Sequence, residues 1–127
     1  MKRVLFVCVE NANRSQMAEA FAHIHGGDAV EALSAGSAPA GRINPKTVRF
    51  MAELGYDLST HASKSLDEID GEFDAVVTMG CGDNCPWVPA KWREDWNLPD
   101  PKHLDDDGYR AVRDEISARV QRLLAEL

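Results

Sequence analysis

The chain opens with an apolar segment, a short polar loop and an amphipathic helix pattern, and this order constrains the fold more than any other feature. Residues 4–9 are apolar throughout and rich in valine, as in a strand that is buried on both faces of a sheet. In residues 15–25, Met17, Phe21 and Ile24 recur at helical spacing, and a pair of glycines ends the pattern. A buried strand that leads through a loop into a helix is the first part of a β-α-β unit.

The rest of the chain continues the alternation of strands and helices. We predict strands at residues 30–34 and 74–79, a helix that follows Asn44-Pro45 and ends at Gly55, a helical turn at 65–69, and a last helix from about Tyr109 to the C-terminus. Residues 80–101 are predicted to form a long loop with one short strand near Trp96. This order predicts an α/β fold of three layers, with a small parallel sheet flanked by helices. The 127 residues match one domain, so residues 1–127 are expected to form a single unit.

Charge and cysteine content exclude several classes of protein. A formal net charge of −7 argues against nucleic acid or a membrane surface as a partner, although a local site can still attract a small anion. The cysteines are Cys8, Cys81 and Cys85, too few and odd in number for the disulfide framework of a secreted domain. The N-terminal apolar run ends at Glu10, which is too short for a signal sequence or a membrane span. We therefore expect a cytoplasmic, monomeric protein with reduced thiols.

The loop between the first predicted strand and helix carries the clearest chemical signal. Its backbone N–H groups are expected to converge on a bound oxyanion, at residues Val9, Glu10, Asn11, Ala12, Asn13 and Arg14. The guanidinium of Arg14 can bind two oxygens of a tetrahedral anion. Cys8 lies where the same donors favour a thiolate nucleophile, and Ser15 can donate its hydroxyl to that sulfur. A bare C-x5-R pair is more often a buried cysteine near a surface arginine, but Ser15 and the strand-loop-helix context favour catalysis.

This C-x5-R-S motif after a first strand resembles the low-molecular-weight protein tyrosine phosphatases and the arsenate reductases that share their fold. The segments closer to the arsenate reductase branch are Arg14–Glu19, Ser34-Ala35-Gly36, Asn44-Pro45 and His61-Ala62-Ser63. The resemblance covers nearly the whole chain. It implies a four-stranded parallel sheet flanked by helices and a thioredoxin-coupled arsenate reductase that needs no cofactor or metal. The alternative is a phosphatase that forms a phosphocysteine at Cys8.

A late Asp-Pro pair is the second element of the resemblance. Pro99-Asp100-Pro101 is typical of a turn when taken alone. In both branches the matching aspartate protonates the leaving oxygen, so the resemblance implies that Asp100 is the general acid. Many phosphatases continue with an aromatic residue that lines the phosphotyrosine cleft. Lys102 stands there instead, which favours the reductase.

The other two cysteines follow the third predicted strand directly. If this strand neighbours the first, Cys81 and Cys8 leave the sheet at the same edge, within reach of a disulfide. The resemblance implies a relay in which Cys8 binds arsenate, a Cys8–Cys81 disulfide forms, and Cys85 then takes over Cys81. Arsenate is then the substrate, phosphate or sulfate competes with it, and thioredoxin or another thiol donor is the reductant. The alternatives are inert loop thiols in a phosphatase, or half of a zinc site with His61 or His103.

Four residues are expected to support the loop rather than react. By resemblance, Asn11 holds the loop in a left-handed turn, and with Glu19 and Ser34 it matches positions of a potassium site in some arsenate reductases. Lys64 stands at the position of the acidic fourth ligand, so its ammonium can replace the cation and we predict potassium independence. Glu10 replaces a frequent glycine, and its carboxylate would repel an anion unless the side chain points away.

Overall fold

The structure is a computed structural model that describes residues 1–80 and 88–127. The main elements are β1 (Lys2–Cys8), α1 (Arg14–Gly26), β2 (Val30–Gly36), α2 (Pro45–Ala52), β3 (Phe73–Thr78), β4 (Ala90–Asp95) and α3 (Asp106–Glu126). Short 3₁₀ turns lie at Leu58–Thr60, Leu66–Glu68 and Pro101–His103. In the described ranges, none of the helices has the length and hydrophobicity required to cross a bilayer.

The four strands form one parallel sheet in the order β2-β1-β3-β4. Cys8 at the end of β1 pairs with Gly36 on one side, and Val7 pairs with Thr78 on the other. Strand β2 lies on one side of β1, and β3 and β4 lie on the other. The direction in which successive strands are added therefore reverses at β1. In open α/β sheets, ligands bind at the carboxyl ends of the strands at such a point. The predicted α/β class and four-stranded parallel sheet are confirmed.

Both faces of β1 are buried, as its apolar sequence predicts. Val4 and Phe6 pack in a core cluster that also holds buried residues of α1, α2 and α3. Leu5 and Val7 point to the other face, where Leu66 packs against them. Burial of these side chains is the main stabilising contribution, at roughly 1.5–3 kcal/mol for each large apolar residue. It also fixes the end of β1, and therefore the position of Cys8.

Several elements begin or end a few residues away from the predictions; helix α2, for example, ends at Ala52 rather than at Gly55, and the fourth strand and the last helix differ most clearly. The fourth strand covers Ala90–Asp95, and Trp96 follows it as a buried side chain that is 1% exposed. The strand is a charged edge strand, so its sequence lacks the apolar run from which buried strands are recognised. Helix α3 begins at Asp106, because the side chain of Asp105 caps it by accepting a hydrogen bond from the Gly108 amide over 2.7 Å.

Candidate active site

Cys8 and Ser15 lie at the two ends of the loop that joins β1 to α1. Cys8 is 3% exposed, and its Sγ lies 2.8 Å from Oγ of Ser15. The same Oγ accepts a hydrogen bond from Nδ2 of Asn11 over 2.8 Å, which leaves the hydroxyl proton of Ser15 available to donate to sulfur. A hydroxyl that donates to sulfur stabilises the thiolate, the nucleophilic form of cysteine. The structure therefore places Ser15, which the motif predicts as a donor to the sulfur, directly beside Cys8, and Asn11 supports that hydroxyl.

Arg14 begins α1 and is buried against the loop that carries Asp100. Its Nη1 donates to the carbonyl oxygen of Leu98 over 2.9 Å, and Nη2 lies 3.9 Å from Oδ2 of Asp100. Gly80 gives the guanidinium room, because a Cβ there would lie 2.5 Å from Nη1. Among residues 1–80 and 88–127, Nε of Arg14 is the buried side-chain nitrogen or oxygen without a hydrogen-bond partner. That N–H is a donor that an oxyanion can use.

Asn11 holds the middle of the loop in a left-handed turn. Its φ is 51° and the residue is fully buried. Its Oδ1 accepts from the backbone N–H of Lys64 over 2.7 Å and from Nε2 of Gln16 over 3.0 Å. The same Nε2 contacts the carbonyl oxygen of Ala62 at 2.9 Å, so Gln16 joins the loop to the segment before Lys64. Asn11 tolerates this backbone conformation better than other non-glycine residues do.

The loop also rests directly on the end of β2. A Cβ on Gly36 would lie 2.5 Å from the carbonyl oxygen of Val9 and 3.0 Å from the amide nitrogen of Asn11. The amide of Gly36 itself donates to the carbonyl oxygen of Lys64 over 2.8 Å. Only glycine allows such a close approach of two backbones. The Ser-Ala-Gly sequence at the end of β2 therefore has a direct structural role in shaping the loop.

Two buried hydroxyl groups hold the side chain of Asn13, the last residue of the loop before α1. Oδ1 of Asn13 lies 3.0 Å from the hydroxyl of Tyr109 in α3 and 3.0 Å from Oγ1 of Thr47 in α2. The two hydroxyls also contact each other, and burial raises the pKa of Tyr109 to about 12. Sequence reasoning assigned Tyr109 only to the apolar face of the last helix. The available signal was a hydroxyl at a core position, since a buried tyrosine OH usually has a hydrogen-bond partner.

Asp100 caps the 3₁₀ turn that follows it. It faces the loop of residues 9–14 between β1 and α1, which is predicted to bind the oxyanion and is called the oxyanion loop. Its Oδ1 accepts from the backbone N–H of Lys102 over 3.1 Å, while Oδ2 is the oxygen near Arg14. The turn fixes the direction of the carboxyl group, as side-chain capping does elsewhere. The aspartate predicted as the general acid thus lies beside the arginine predicted to bind the anion.

The carboxylate of Glu10 forms an ion pair with Lys102. Nζ of Lys102 donates to its Oε1 over 2.7 Å. The hydrogen bond and charge of Glu10 raise the pKa of Lys102. In the sequence, Glu10 and Lys102 are two separate departures from the family pattern. The structure brings them together, and Lys102 compensates the negative charge that Glu10 adds to the loop.

Glu19 forms the centre of a buried polar cluster behind the loop. Its Oε1 accepts from Ser34 Oγ over 2.9 Å and lies 3.8 Å from Nζ of Lys64, and its Oε2 lies 2.9 Å from Nδ1 of His61. Burial alone would raise the pKa of Glu19, but hydrogen bonds from His23 and His61 and the charges of His61 and Lys64 hold it well below its ordinary value. The predicted set of Asn11, Glu19, Ser34 and Lys64 therefore lies in one region. His61, to which sequence reasoning gave no role, belongs to it.

Within the described ranges, Glu19, His23 and His61 offer ligand atoms close enough to hold a metal ion, all within 4.8 Å of one another. The ammonium of Lys64 is 3.8 Å from the same carboxylate and already supplies a positive charge there. His61 is also engaged, since its Nε2 lies 2.7 Å from the hydroxyl of Tyr56.

The remaining predicted residues, Cys81 and Cys85, lie outside the described residues. The chain that leads to them is described as far as Gly80. The amide of Met79 donates to the carbonyl oxygen of Val7 over 2.8 Å, and Gly80 lies against Arg14. The strand that precedes Cys81 is therefore the neighbour of the strand that ends in Cys8, as the relay requires.

Comparisons with known proteins agree with this geometry. The family model described as low molecular weight phosphotyrosine protein phosphatase matches residues 3–127. The glutaredoxin arsenate reductase of Synechocystis sp. is 37% identical, over 100% of this chain and 99% of that protein. A solved structure of an arsenate reductase in the phosphate binding state is 36% identical with a TM-score of 0.91, covering 99% of this chain and 98% of the other. A thioredoxin-dependent arsenate reductase from Corynebacterium glutamicum is 39% identical with a TM-score of 0.83, covering 99% of this chain and 61% of the other. The chain belongs to the low molecular weight phosphotyrosine protein phosphatase family, and its relatives in that family include arsenate reductases.

Proposed function

We propose that the chain reduces arsenate to arsenite, with Cys8 as the nucleophile. The observation that carries the proposal is the 2.8 Å contact between Cys8 Sγ and Ser15 Oγ, at the base of a loop that ends in Arg14. The relatives named arsenate reductases favour this activity over phosphate ester hydrolysis. Arsenate has the tetrahedral shape and negative charge that loop amides and a guanidinium bind.

In the first step the Cys8 thiolate attacks arsenic, and one arsenate oxygen leaves as water. Asp100 supplies a proton to that oxygen, because its Oδ2 faces the loop and a hydroxide is a poor leaving group. Arg14 and the loop amides stabilise the charge on the remaining oxygens. The product is a thio-arsenate adduct in which arsenic is still pentavalent.

The second step reduces arsenic at the expense of two thiols. The Cys81 thiolate attacks the sulfur of Cys8, and the electron pair of the sulfur–arsenic bond passes to arsenic, which leaves as arsenite. The resulting Cys8–Cys81 disulfide is then attacked by Cys85, which frees the Cys8 thiolate and leaves a Cys81–Cys85 disulfide. An external dithiol supplies two electrons to reduce this last disulfide. The cycle starts from three reduced thiols, which fits a cytoplasmic protein.

Thioredoxin is the proposed reductant. The support is the thioredoxin-dependent Corynebacterium relative, whereas the name of the Synechocystis relative points to glutaredoxin as the other thiol donor to test. Arsenate-dependent NADPH oxidation is therefore measured with thioredoxin and thioredoxin reductase, and separately with glutathione, glutaredoxin and glutathione reductase. Turnover with either system supports arsenate reduction, and the faster system identifies the donor.

Variants of the three cysteines test the relay directly. Cys8→Ser is expected to abolish turnover and adduct formation. Cys81→Ser should stop the cycle at the thio-arsenate adduct on Cys8, and Cys85→Ser should stop it at the Cys8–Cys81 disulfide. Mass spectrometry distinguishes these states. Turnover that survives in both Cys81→Ser and Cys85→Ser would rule out the relay, and rapid hydrolysis of p-nitrophenyl phosphate without arsenate reduction would favour the phosphatase alternative.

Asp100→Asn tests the acid. The variant keeps the shape of the side chain but cannot deliver the proton, so kcat should fall by roughly 10²-fold or more. Asp107→Asn is the matched control, because Asp107 is an exposed aspartate in the first turn of α3 with 96% side-chain exposure. An equal loss in both variants would show that Asp100 is not the proton donor.

A further inference from the structure

The rim of the oxyanion loop carries an ion pair that the proposed reaction does not use. The ammonium of Lys102 and the carboxylate of Glu10 are 2.7 Å apart, and their side chains are 33% and 36% exposed. The pair joins the loop after β1 to the segment that carries Asp100. Glu10 is a fixed attachment point, since its carbonyl oxygen accepts from Oγ of Ser63 over 3.0 Å and from the amide of Ala40 over 2.9 Å.

This pair holds the Asp100 segment against the oxyanion loop on one side of Asp100. On the other side of Asp100, the carbonyl oxygen of Leu98 accepts from Nη1 of Arg14 over 2.9 Å. Between these two contacts, Oδ1 of Asp100 accepts from the amide of Lys102, and Oδ2 lies 3.9 Å from Nη2 of Arg14. Residues 98, 100 and 102 thus contact the oxyanion loop in succession, and the acid is held from both sides.

Free arsenate and a phosphate ester need different amounts of space beside this acid. In ester hydrolysis the acid must reach the ester oxygen, and the organic group on that oxygen must extend from the loop past the acid. Free arsenate places only an oxygen there. A side-chain bridge next to Asp100 therefore obstructs an ester and leaves room for a free oxyanion.

We propose that the Glu10–Lys102 ion pair is a specificity-determining bridge that admits free tetrahedral oxyanions and disfavours organic phosphate esters, an inference that rests on the proposed arsenate reductase function. Neither residue touches the reacting atoms through its side chain. The pair acts by occupying space beside Asp100 through which the organic group of an ester would extend. The preference is graded rather than absolute, because an ion pair at this exposure opens readily.

Alkylation of Cys8 measures access to the loop without turnover. Iodoacetamide modification of the Cys8 peptide is followed by mass spectrometry with increasing phosphate, and with increasing phenylphosphonate, a non-hydrolysable dianion with an organic group. The ratio of the two protection constants gives the preference for the free anion. We expect Glu10→Gln and Lys102→Met each to reduce this preference by about fivefold, the upper range for a solvent-exposed ion pair.

Two further proteins separate the bridge from general effects. The double variant Glu10→Lys with Lys102→Glu re-forms the pair with exchanged charges and should restore the preference. Arg119→Met removes an exposed 2.8 Å ion pair with Glu115 inside α3 and should leave the preference unchanged. Circular dichroism checks that each variant is folded.

Charge alone predicts a different pattern. If Glu10→Gln strengthens the binding of both anions and Lys102→Met weakens both by similar factors, the preference stays constant and the bridge is refuted. An unchanged preference with unchanged affinities refutes it as well. A reduced preference in both single variants that the exchanged pair restores supports it.

Failure of the bridge can be told apart from failure of the proposed function. In one outcome, the wild-type protein fails to reduce arsenate with either thiol system while its variants show the expected change of preference in the alkylation assay. That result would refute the proposed function and support the bridge. A protein that reduces arsenate while its variants retain the wild-type preference would keep the function and remove the bridge.

Discussion

Replacement of Asn11 by alanine should destabilise the protein and open the oxyanion loop. Asn11 has φ 51° and is fully buried, and its side chain forms hydrogen bonds with Ser15, Gln16 and Lys64. Alanine removes all three bonds and disfavours the left-handed backbone. The perturbation therefore tests whether this one amide holds the loop in its binding shape.

The size of the effect can be derived contact by contact. Gln16 keeps partners in the carbonyl oxygens of Asn11 and Ala62, and Ser15 keeps Cys8, so the backbone N–H of Lys64 is the group that loses its recorded acceptor. This N–H is only partly buried, so its loss should cost the lower part of the range of about 1–3 kcal/mol for an unsatisfied buried donor. A non-glycine residue without a short polar side chain costs about 1 kcal/mol more in the left-handed region. Asn11→Ala should thus lower the free energy of unfolding by about 2–3 kcal/mol.

Urea unfolding followed by tryptophan fluorescence measures this free energy. Asn97→Ala is the control, because Asn97 is exposed and should change the free energy of unfolding by less than about 0.5 kcal/mol. Protection of Cys8 from alkylation by phosphate should weaken in Asn11→Ala and not in Asn97→Ala. A loss below about 1 kcal/mol, with normal phosphate protection, would refute the reasoning, since it would mean that the loop keeps its shape without the amide.

Two other predictions concern charge. Hydrogen bonds from Arg110 and Arg113 hold the pKa of Glu53 at about 2, below its ordinary 4.5, so its stabilising effect is present above the ordinary pKa and lost as pH falls toward 2. Glu53→Gln should therefore lower the Tm at neutral pH, and thermal unfolding should show the difference shrinking in acid; a constant difference would contradict this. For the ammonium of Lys64 beside Glu19, we predict arsenate reduction that is equal in potassium and sodium at fixed ionic strength, and selective activation by potassium in Lys64→Asp. A large potassium activation of the wild type would show that the ammonium does not replace the cation.

The parts of the fold and site that sequence predicts are those encoded locally. The apolar run of β1, the loop motif and the helix pattern of α1 follow one another within residues 2–26, so their order alone indicates a β-α-β fold and a nucleophile. The Asn44-Pro45 start of α2 is also local, and the structure shows Asn44 Oδ1 accepting from the amide of Lys46 over 2.9 Å. By contrast, β4 is a charged edge strand and carries no comparable pattern.

The contacts that sequence reasoning missed join distant parts of the chain. Tyr109 and Asn13 are 96 positions apart, and Lys102 and Glu10 are 92 apart. A single sequence does not show that these residues are in contact. Its hydrophobic periodicity indicates which face of a helix or strand is buried, but not which polar side chains of distant elements meet there. Two departures from the family pattern, Glu10 and Lys102, explain each other only once the fold brings them into contact.

The contact between Gly36 and the loop limits which positions can change when such a site is redesigned or diverges in evolution. Because the backbone of Val9 and Asn11 lies directly on Gly36, every side chain at that position would displace the loop that we propose to bind the anion. A mutant library aimed at a new oxyanion should therefore keep position 36 constant and vary the rim, where Glu10 and Lys102 are partly exposed. Gly36 thus constrains the shape of the loop around the anion. Substitutions of Glu10 and Lys102 can instead change which organic group attached to the anion is accepted.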